Sequence, residues 1–474
     1  MSGEPWARGN SGQRRVLVAV MAGAILGPID ASIVNVILPV LASSFSSSLA
    51  VVQWVPMAYL LASGSLVLLF GRFGDLRGHR RVFLDGLLAF VVASGLCAIS
   101  PSIHALVAFR VLQGVAAAAL MSVPLALLTA TFPPAARGKA IGLFAASISV
   151  GLAVGPSLGG LLAATFGWRA TFLVNIPLGL LAWAFARRVL PDVPVRPGRL
   201  DLLGAGTALG ALVAFLLFVN HAQQEGLSSR TLPLLLAALA CGALFLHHEK
   251  RTAEPLVELS IFGNRQVAFG TSAAVLNFMS QYVVVFLTPF LLSRLLGEGP
   301  GRVGLVLTAF PLAVLCVAPF AGALSDRVGS ARPAATGAGL SAVGCVLLSA
   351  MPPGTGAGGV AWRLAIFGIG TGLFQSPNNS AVMGSAPIAH LGVVGSLLGT
   401  ARTLGMVLGV AAAGAVLYAF VPASALHNGG LGPEHVAPFA AGVRRAYAAG
   451  AVFAVLSALL AFSTDGRKWA TLPA

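Results

Sequence analysis

Gly71-Arg72-Phe73-Gly74-Asp75-Leu76-Arg77-Gly78 returns later in the chain as Gly322-Ala323-Leu324-Ser325-Asp326-Arg327-Val328-Gly329. Both stretches read G-x-x-x-D-x-x-G, and 251 residues separate them. Each is a short polar interruption between long apolar runs. The same offset carries the apolar run containing Asp30 onto one that begins near Val267. It carries the next onto one near Arg302 and the third onto one near Pro333. A set of six runs therefore occurs twice, in the same direction along the chain.

The composition says what surrounds these runs. Of 474 residues, 57% are hydrophobic and 9% charged, with a mean hydropathy of +0.90. Soluble proteins carry about 25% charged residues. A chain this apolar has too few polar groups to cover an outside facing water, so lipid is its outer solvent. A spanning helix needs about twenty mainly apolar residues, and runs of that kind lie at about 16–41, 51–71, 82–100, 103–131, 139–165, 168–190, 201–219, 231–247, 266–292, 302–325, 333–352, 360–384, 392–420 and 443–463. That predicts an all-α membrane protein of fourteen spans. The first run follows Arg14 and Arg15 and is too long for a signal peptide, so it is expected to remain as a span.

An even number of spans puts both termini on one side. The chain has 29 basic and 14 acidic residues, a net charge of +15. Nucleic-acid binding is one meaning of such a balance, but here the charges sit between apolar runs. With the N-terminus inside, the inner loops and tails (Arg8, Arg14 and Arg15 through Arg196, Arg199, Arg467 and Lys468) hold 20 Lys and Arg against seven outside. The seven include Arg444 and Arg445. This bias predicts cytoplasmic termini and no nucleic-acid partner. The repeat then divides the chain into a six-helix half at 1–190, two inserted helices with their linkers at 191–265, and a second six-helix half at 266–474. An inserted pair preserves the orientation of the second half. The four cysteines lie within apolar runs without metal-ligand neighbours and are expected to be packing residues.

The loop Gly71-Arg72-Phe73-Gly74-Asp75-Leu76-Arg77-Gly78-His79-Arg80-Arg81 resembles the signature loop of the major facilitator superfamily. Leu76 and His79 stand where that family usually has basic residues. Its glycines suit a tight turn between closely packed helices. Asp75, held by helix amides and nearby arginines such as Arg80 and Arg81, is expected to act as a latch that biases which side is open. Asp326 is its counterpart in the second half. Gly151-Leu-Ala-Val-Gly155-Pro156-Ser-Leu-Gly159-Gly160 resembles the antiporter motif of that superfamily. Small residues four apart let helices approach, and Pro156 invites a kink. Asp30-Ala-Ser-Ile-Val-Asn35-Val-Ile-Leu-Pro39 is similar to a segment of its fourteen-span drug:proton antiporter branch. Gln53-Trp54, Tyr59 and Arg199-Leu-Asp201 fit that branch too. The resemblance covers nearly the whole chain. It implies a major facilitator fold and a proton-coupled antiporter that exports lipophilic or amphiphilic compounds by alternating access. It also implies a bacterial cytoplasmic membrane and protons as the coupling ion, with no cofactor.

Asp30 lies about 14 residues into its span, near mid-bilayer at 1.5 Å per residue. An ionised carboxylate there costs roughly 2.5–3.5 kcal/mol, so it faces a cavity or a partner. A carboxylate that exchanges protons with either side in turn is what antiport needs. Arg110, in Arg110-Val-Leu-Gln113-Gly114, resembles the superfamily's R-x-x-Q-G segment, whose Arg is linked to proton transfer. The alternative is an Arg that snorkels to the membrane edge. Arg402, within the thirteenth run, is read as snorkelling or meeting lipid headgroups. Candidate residues for the substrate cavity are Asn35, Gln53, Tyr59, Gln113, Asn277, Gln281, Tyr282, Gln375, Asn378 and Asn379. Each has interhelical hydrogen bonding as its alternative. Shifted by the repeat, Asp30 falls on Gln281, which cannot titrate, so the proton site belongs to the first half alone.

The apolar surroundings suit lipophilic guests held by shape and stacking. The expected working unit is a monomer in the lipid bilayer, and the sequence leaves a periplasmic adaptor open. An exporter of an endogenous lipid, siderophore or secondary metabolite is the second reading. An ion channel needs no two-fold repeat. A membrane enzyme is disfavoured because His247-His248-Glu249 has no third ligand at metal spacing and reads as a polar cap. Nothing resembles a nucleotide-binding loop.

Overall fold

The computed structural model describes residues 11–192, 201–225, 228–252, 261, 263–352, 354–385, 391–421 and 433–463. Among them are 14 helices long and apolar enough to cross a membrane, and no strand. The spans are α1 (Ser11–Ser44), α2 (Trp54–Arg77), α3 (His79–Ala98), α4 (Ile103–Thr131), α5 (Pro134–Phe166), α6 (Ala170–Val189) and α7 (Leu202–Glu225). They continue as α8 (Leu232–Glu249), α9 (Arg265–Leu295), α10 (Pro300–Val328), α11 (Ala331–Ser349), α12 (Ala357–Gly384), α13 (Leu391–Phe420) and α14 (Pro433–Phe462). Arg8, Arg196, Arg199, Arg467 and Lys468, which entered the charge count, lie outside the described residues.

Several helix ends lie some residues beyond the sequence reading, and two of these differences change the placement of charged residues. α2 runs on as helix through Arg77, so Gly71 and Asp75 are helical and the turn is Gly78 alone. Gly78 takes φ +93° and its N–H returns to the Gly74 carbonyl at 2.9 Å. Gly329 does the same in the second copy, with φ +83° and a 3.0 Å bond to the Ser325 carbonyl. Only a residue without Cβ enters this left-handed turn at little cost, which gives the last glycine of the repeat its physical meaning. Asp75 therefore sits on the last turn of α2, not at a helix N-terminus. The second difference is α14, which starts at Pro433 rather than near 443 and contains Arg444 and Arg445. Proline is at home in a first turn, and Glu434, His435 and Pro438 hide this segment from an apolar count.

Glycine faces set the helix packing, because bare backbone lets helices touch where no hydrophobic force drives them together. On α5, Gly151 lies against Ile25, Gly155 against Ile29 and Ser32, and Gly159 against Ile33 of α1. Pro156 lies inside α5, which remains one helix. The adjacent face places Gly160 against Pro300 and Gly304 of α10, where Ser157 and Thr308 hydroxyls are 2.7 Å apart. α7 and α8 pack on each other, and α7 also touches α2. On α8 only Ala238 and Glu249 are buried. Asp201 caps α7 through the Gly204 N–H at 2.8 Å and meets His248 at 2.8 Å, so the histidine cluster tethers the inserted pair.

Two compact units emerge. The first comprises Met1–Leu256, Thr288–Thr308 and Tyr418–Ala440, the second Val257–Leu287, Ala309–Leu417 and Ala441–Ala474. The division does not follow the boundaries 1–190, 191–265 and 266–474. The Gly160–Gly304 approach and the Tyr418 hydroxyl, which accepts from the Ala50 N–H at 2.9 Å, explain why the first unit takes in those ends of α9, α10 and α13. In the second unit, Gly337 and Gly344 of α11 lie against Phe374 and Phe367 of α12. The four cysteines are free. Cys97 and Cys345 are buried, Cys316 is exposed and Cys241 lies between.

Candidate functional site

Asp30 is fully buried in α1, and the first unit converges on it. Its Oδ2 accepts from Nη1 of Arg110 on α4. Its Oδ1 accepts from Gln113 Nε2 at 2.9 Å and from Asn175 Nδ2 at 2.8 Å. Arg110 is equally buried, so it does not snorkel. Its Nε donates to the Val55 carbonyl at 3.2 Å and its Nη1 also reaches Gln113 Oε1 at 2.6 Å. The guanidinium lies over the Tyr59 ring, 4.1 Å from its centre, and the Tyr59 hydroxyl donates to the Gly27 carbonyl at 3.2 Å. Ser94 on α3 is 2.9 Å from Gln113 Nε2. Four helices thus join α1 around one carboxylate, which is how a charge is tolerated where a lone ion is expelled.

Sequence reading named Asp30, Arg110, Gln113 and Tyr59 but missed Asn175 and Ser94. Asn175 interrupts an apolar stretch of α6 and its Oδ1 has no partner. That lone polar position was the available signal. Gly114, the last residue of the R-x-x-Q-G segment, was given no role of its own. A Cβ there would stand 2.5 Å from the Tyr59 carbonyl and 2.8 Å from Ala62 Cβ. Gly114→Val is expected to push α2 from α4, costing about 1–3 kcal/mol and displacing Tyr59. A drop in thermal stability together with weakened transport checks this; wild-type behaviour in both refutes it.

The remaining candidates scatter. Asn35 is buried and outside the network. Gln53 is buried with its Oε1 unbonded. In the second unit, Gln375 of α12 donates to Gln281 of α9 at 3.2 Å. This pairs first and fourth helices as Asp30 and Arg110 do, but with neutral amides. Asn277 is buried with neither amide atom bonded. Asn378 donates to the Gly270 carbonyl at 3.1 Å and so ties α12 to α9, Tyr282 is buried, and Asn379 is exposed. Gly405 and Gly409 of α13 lie against Val275, Phe278, Met279 and Tyr282 of α9. They repeat the α5–α1 seam, although the sequence reading did not single them out.

Asp75 is 3.9 Å from Arg72 and 3.4 Å from His79, the residue that stands in a usual basic position. Gly71 has open space around it. Arg80 bridges to Asp192 at 3.1 Å and to the Arg187 carbonyl at 2.8 Å, so it holds the end of α6. Arg81 pairs with Asp85 at 3.8 Å. Asp326 is exposed and makes no ion pair among the described residues. The charged contacts of the repeated segment therefore belong to its first copy.

A family model described as the Major Facilitator Superfamily matches residues 20–410. The chain belongs to that superfamily. It is accordingly a membrane transporter and not an enzyme. The riboflavin transporter RibZ of Clostridioides difficile is 33% identical over 402 residues, covering 84% of this chain and 86% of its own. Multidrug resistance protein Stp of Mycobacterium tuberculosis is 32% identical over 418 residues, 88% of this chain and 78% of its own. Among solved structures, a bacterial homologue of the human lysosomal transporter Spinster, inward-facing and occupied, aligns with a TM-score of 0.71 at 18% identity. That alignment covers 96% of this chain and 97% of the other and carries the fold. The superfamily's signature-loop and antiporter resemblances fall on Gly71–Arg81 and on the Gly151–Gly160 face of α5.

Proposed function

We propose that this superfamily member is a proton-coupled antiporter that exports lipophilic or amphiphilic compounds across a bacterial cytoplasmic membrane. The observation that carries the reading is the enclosed Asp30–Arg110–Gln113–Asn175 network. A carboxylate at membrane depth is either paired or neutral. Its partners suit both states. Gln113 and Asn175 donate to the carboxylate through their amide nitrogens. The free Asn175 Oδ1 supplies an acceptor that, after an amide flip, takes the hydroxyl of a protonated Asp30. Protonation of Asp30 then releases Arg110 toward Gln113 and the Tyr59 ring. Exchange of that proton for substrate links the two movements.

One proton moving inward across 100 mV releases about 2.3 kcal/mol, before any pH gradient. The relative named a multidrug resistance protein supports multidrug efflux. The second reading is export of an endogenous lipid, siderophore or secondary metabolite by the same machinery; the riboflavin transporter shows that a relative of this chain handles a small metabolite. In inside-out vesicles an imposed pH gradient should drive uptake of lipophilic dyes, and a protonophore should stop it. Uptake indifferent to the gradient would refute proton coupling.

In this account the Arg72, Asp75 and His79 contacts at the end of α2 bias the two access states. Asp75→Asn is expected to slow turnover while leaving substrate affinity unchanged. Unaltered turnover, with unaltered labelling of reporter cysteines on either side, would remove that role.

A further inference from the structure

In the first unit the buried charges at membrane depth hold each other, Asp30 against Arg110. The second unit is not balanced in this way. Its α13 carries Arg402 about 5 Å from the middle of the helix at 1.5 Å per residue, and so about 10 Å from the edge of a hydrocarbon core of about 30 Å centred on that helix. An arginine side chain does not span that distance, so snorkelling along α13 does not relieve the charge. Yet Arg402 is exposed, and among the described residues it makes no ion pair. The described carboxylate of this unit, Asp326, stands at the far end of α10.

What is shown near Arg402 is neutral. Gly405, one turn on, brings α13 against Val275 and Phe278 of α9. Tyr282 on α9 is within electrostatic range of Arg402. Beside Tyr282, Gln281 is paired with Gln375. Asn277, one turn earlier on α9, is buried with both amide atoms unsatisfied. A guanidinium directed into hydrocarbon costs roughly 2.5–3.5 kcal/mol, whereas one on a hydrated face that receives an anion forms a charge-assisted, bidentate bond.

We infer that Arg402 is a specificity-determining residue that receives the acidic group, a carboxylate or phenolate, of a lipophilic aromatic substrate. The inference rests on the export reading and narrows its substrate class to amphiphilic acids. A lipophilic cation would meet an uncompensated positive charge on this face.

The test is equilibrium binding of three matched fluorescent probes, pyrenebutyrate, pyrenebutanol and pyrenebutylamine, to the purified chain in nanodiscs without any proton gradient. Wild type should prefer pyrenebutyrate to pyrenebutanol by about tenfold or more, and pyrenebutylamine should bind weakest. Arg402→Gln should abolish that preference and leave pyrenebutanol affinity within about twofold, which also shows that the variant is folded. Arg402→Lys should keep part of the preference. A wild type with no carboxylate preference, or an Arg402→Gln variant that retains it, overturns the inference.

Anionic lipid offers the same chemistry, so the measurement is made in phosphatidylcholine alone and with phosphatidylglycerol added. A preference seen in phosphatidylcholine and intact with phosphatidylglycerol supports a substrate site. One that vanishes with phosphatidylglycerol assigns Arg402 to headgroups and overturns the inference. Proton coupling plays no part in this binding. Its failure in flux experiments, with the carboxylate preference intact, would count against the transport mechanism alone.

Discussion

Asp30→Asn is expected to reduce pH-gradient-driven transport in proteoliposomes to the level of protein-free liposomes. The amide keeps the size of the carboxyl group and an acceptor oxygen for Gln113 and Asn175, but it has no titratable proton and no charge. Substrate binding to the variant should persist, because the change removes the coupling ion and not the guest. Downhill exchange of substrate for substrate should persist for the same reason. Asp30→Glu should restore some gradient-driven transport, since the titratable group returns on a longer stem. Full gradient-driven transport by Asp30→Asn would remove Asp30 from the mechanism.

Arg110→Ala has the second largest expected effect; like Asp30→Asn it leaves one buried charge without its counter-charge, and the loss falls on stability as well as transport. The change strands the Asp30 carboxylate without its cation in a fully buried site. Removing one partner of a buried pair costs about 3–5 kcal/mol, because the survivor keeps its desolvation penalty. The double variant Asp30→Asn, Arg110→Gln carries neither charge and should be more stable than Arg110→Ala. Completing a cycle with Arg110→Gln should give a coupling energy of about 0.5–3 kcal/mol. Thermal unfolding in detergent reads these differences. Additive stabilities would show that the pair contributes nothing through its contact.

Much of this architecture was legible because lipid leaves few choices. Apolar runs of spanning length become helices, and a repeated octapeptide reports a repeated half. Gly78 and Gly329 show why that octapeptide survives the sequence differences between its copies, since both occupy the same left-handed turn. Asp30, Arg110, Gln113 and Tyr59 stood out as polar or aromatic groups in apolar surroundings. Their convergence did not, because four separate helices supply the partners and nothing local fixes which faces meet. Asn175 shows the limit well, as one amide in α6 is indistinguishable from an ordinary interhelical bond until its neighbour is seen. Asn378 has the opposite outcome, since its side chain binds the Gly270 carbonyl. The start of α14 escaped because Glu434, His435 and Pro438 broke the apolar pattern while the backbone stayed helical. Asp75 was misplaced for a related reason: two glycines suggested a loop where α2 continues to Arg77.

The central claim is that Asp30 couples proton movement to substrate movement. Its most direct measurement is substrate-triggered proton flux in proteoliposomes held at zero membrane potential. With a pH dye inside the vesicles, a substrate gradient imposed on wild-type protein should move protons in the opposite direction, and the same gradient on Asp30→Asn should move none. Substrate movement without proton movement in wild type, or equal proton movement in both proteins, would contradict the account.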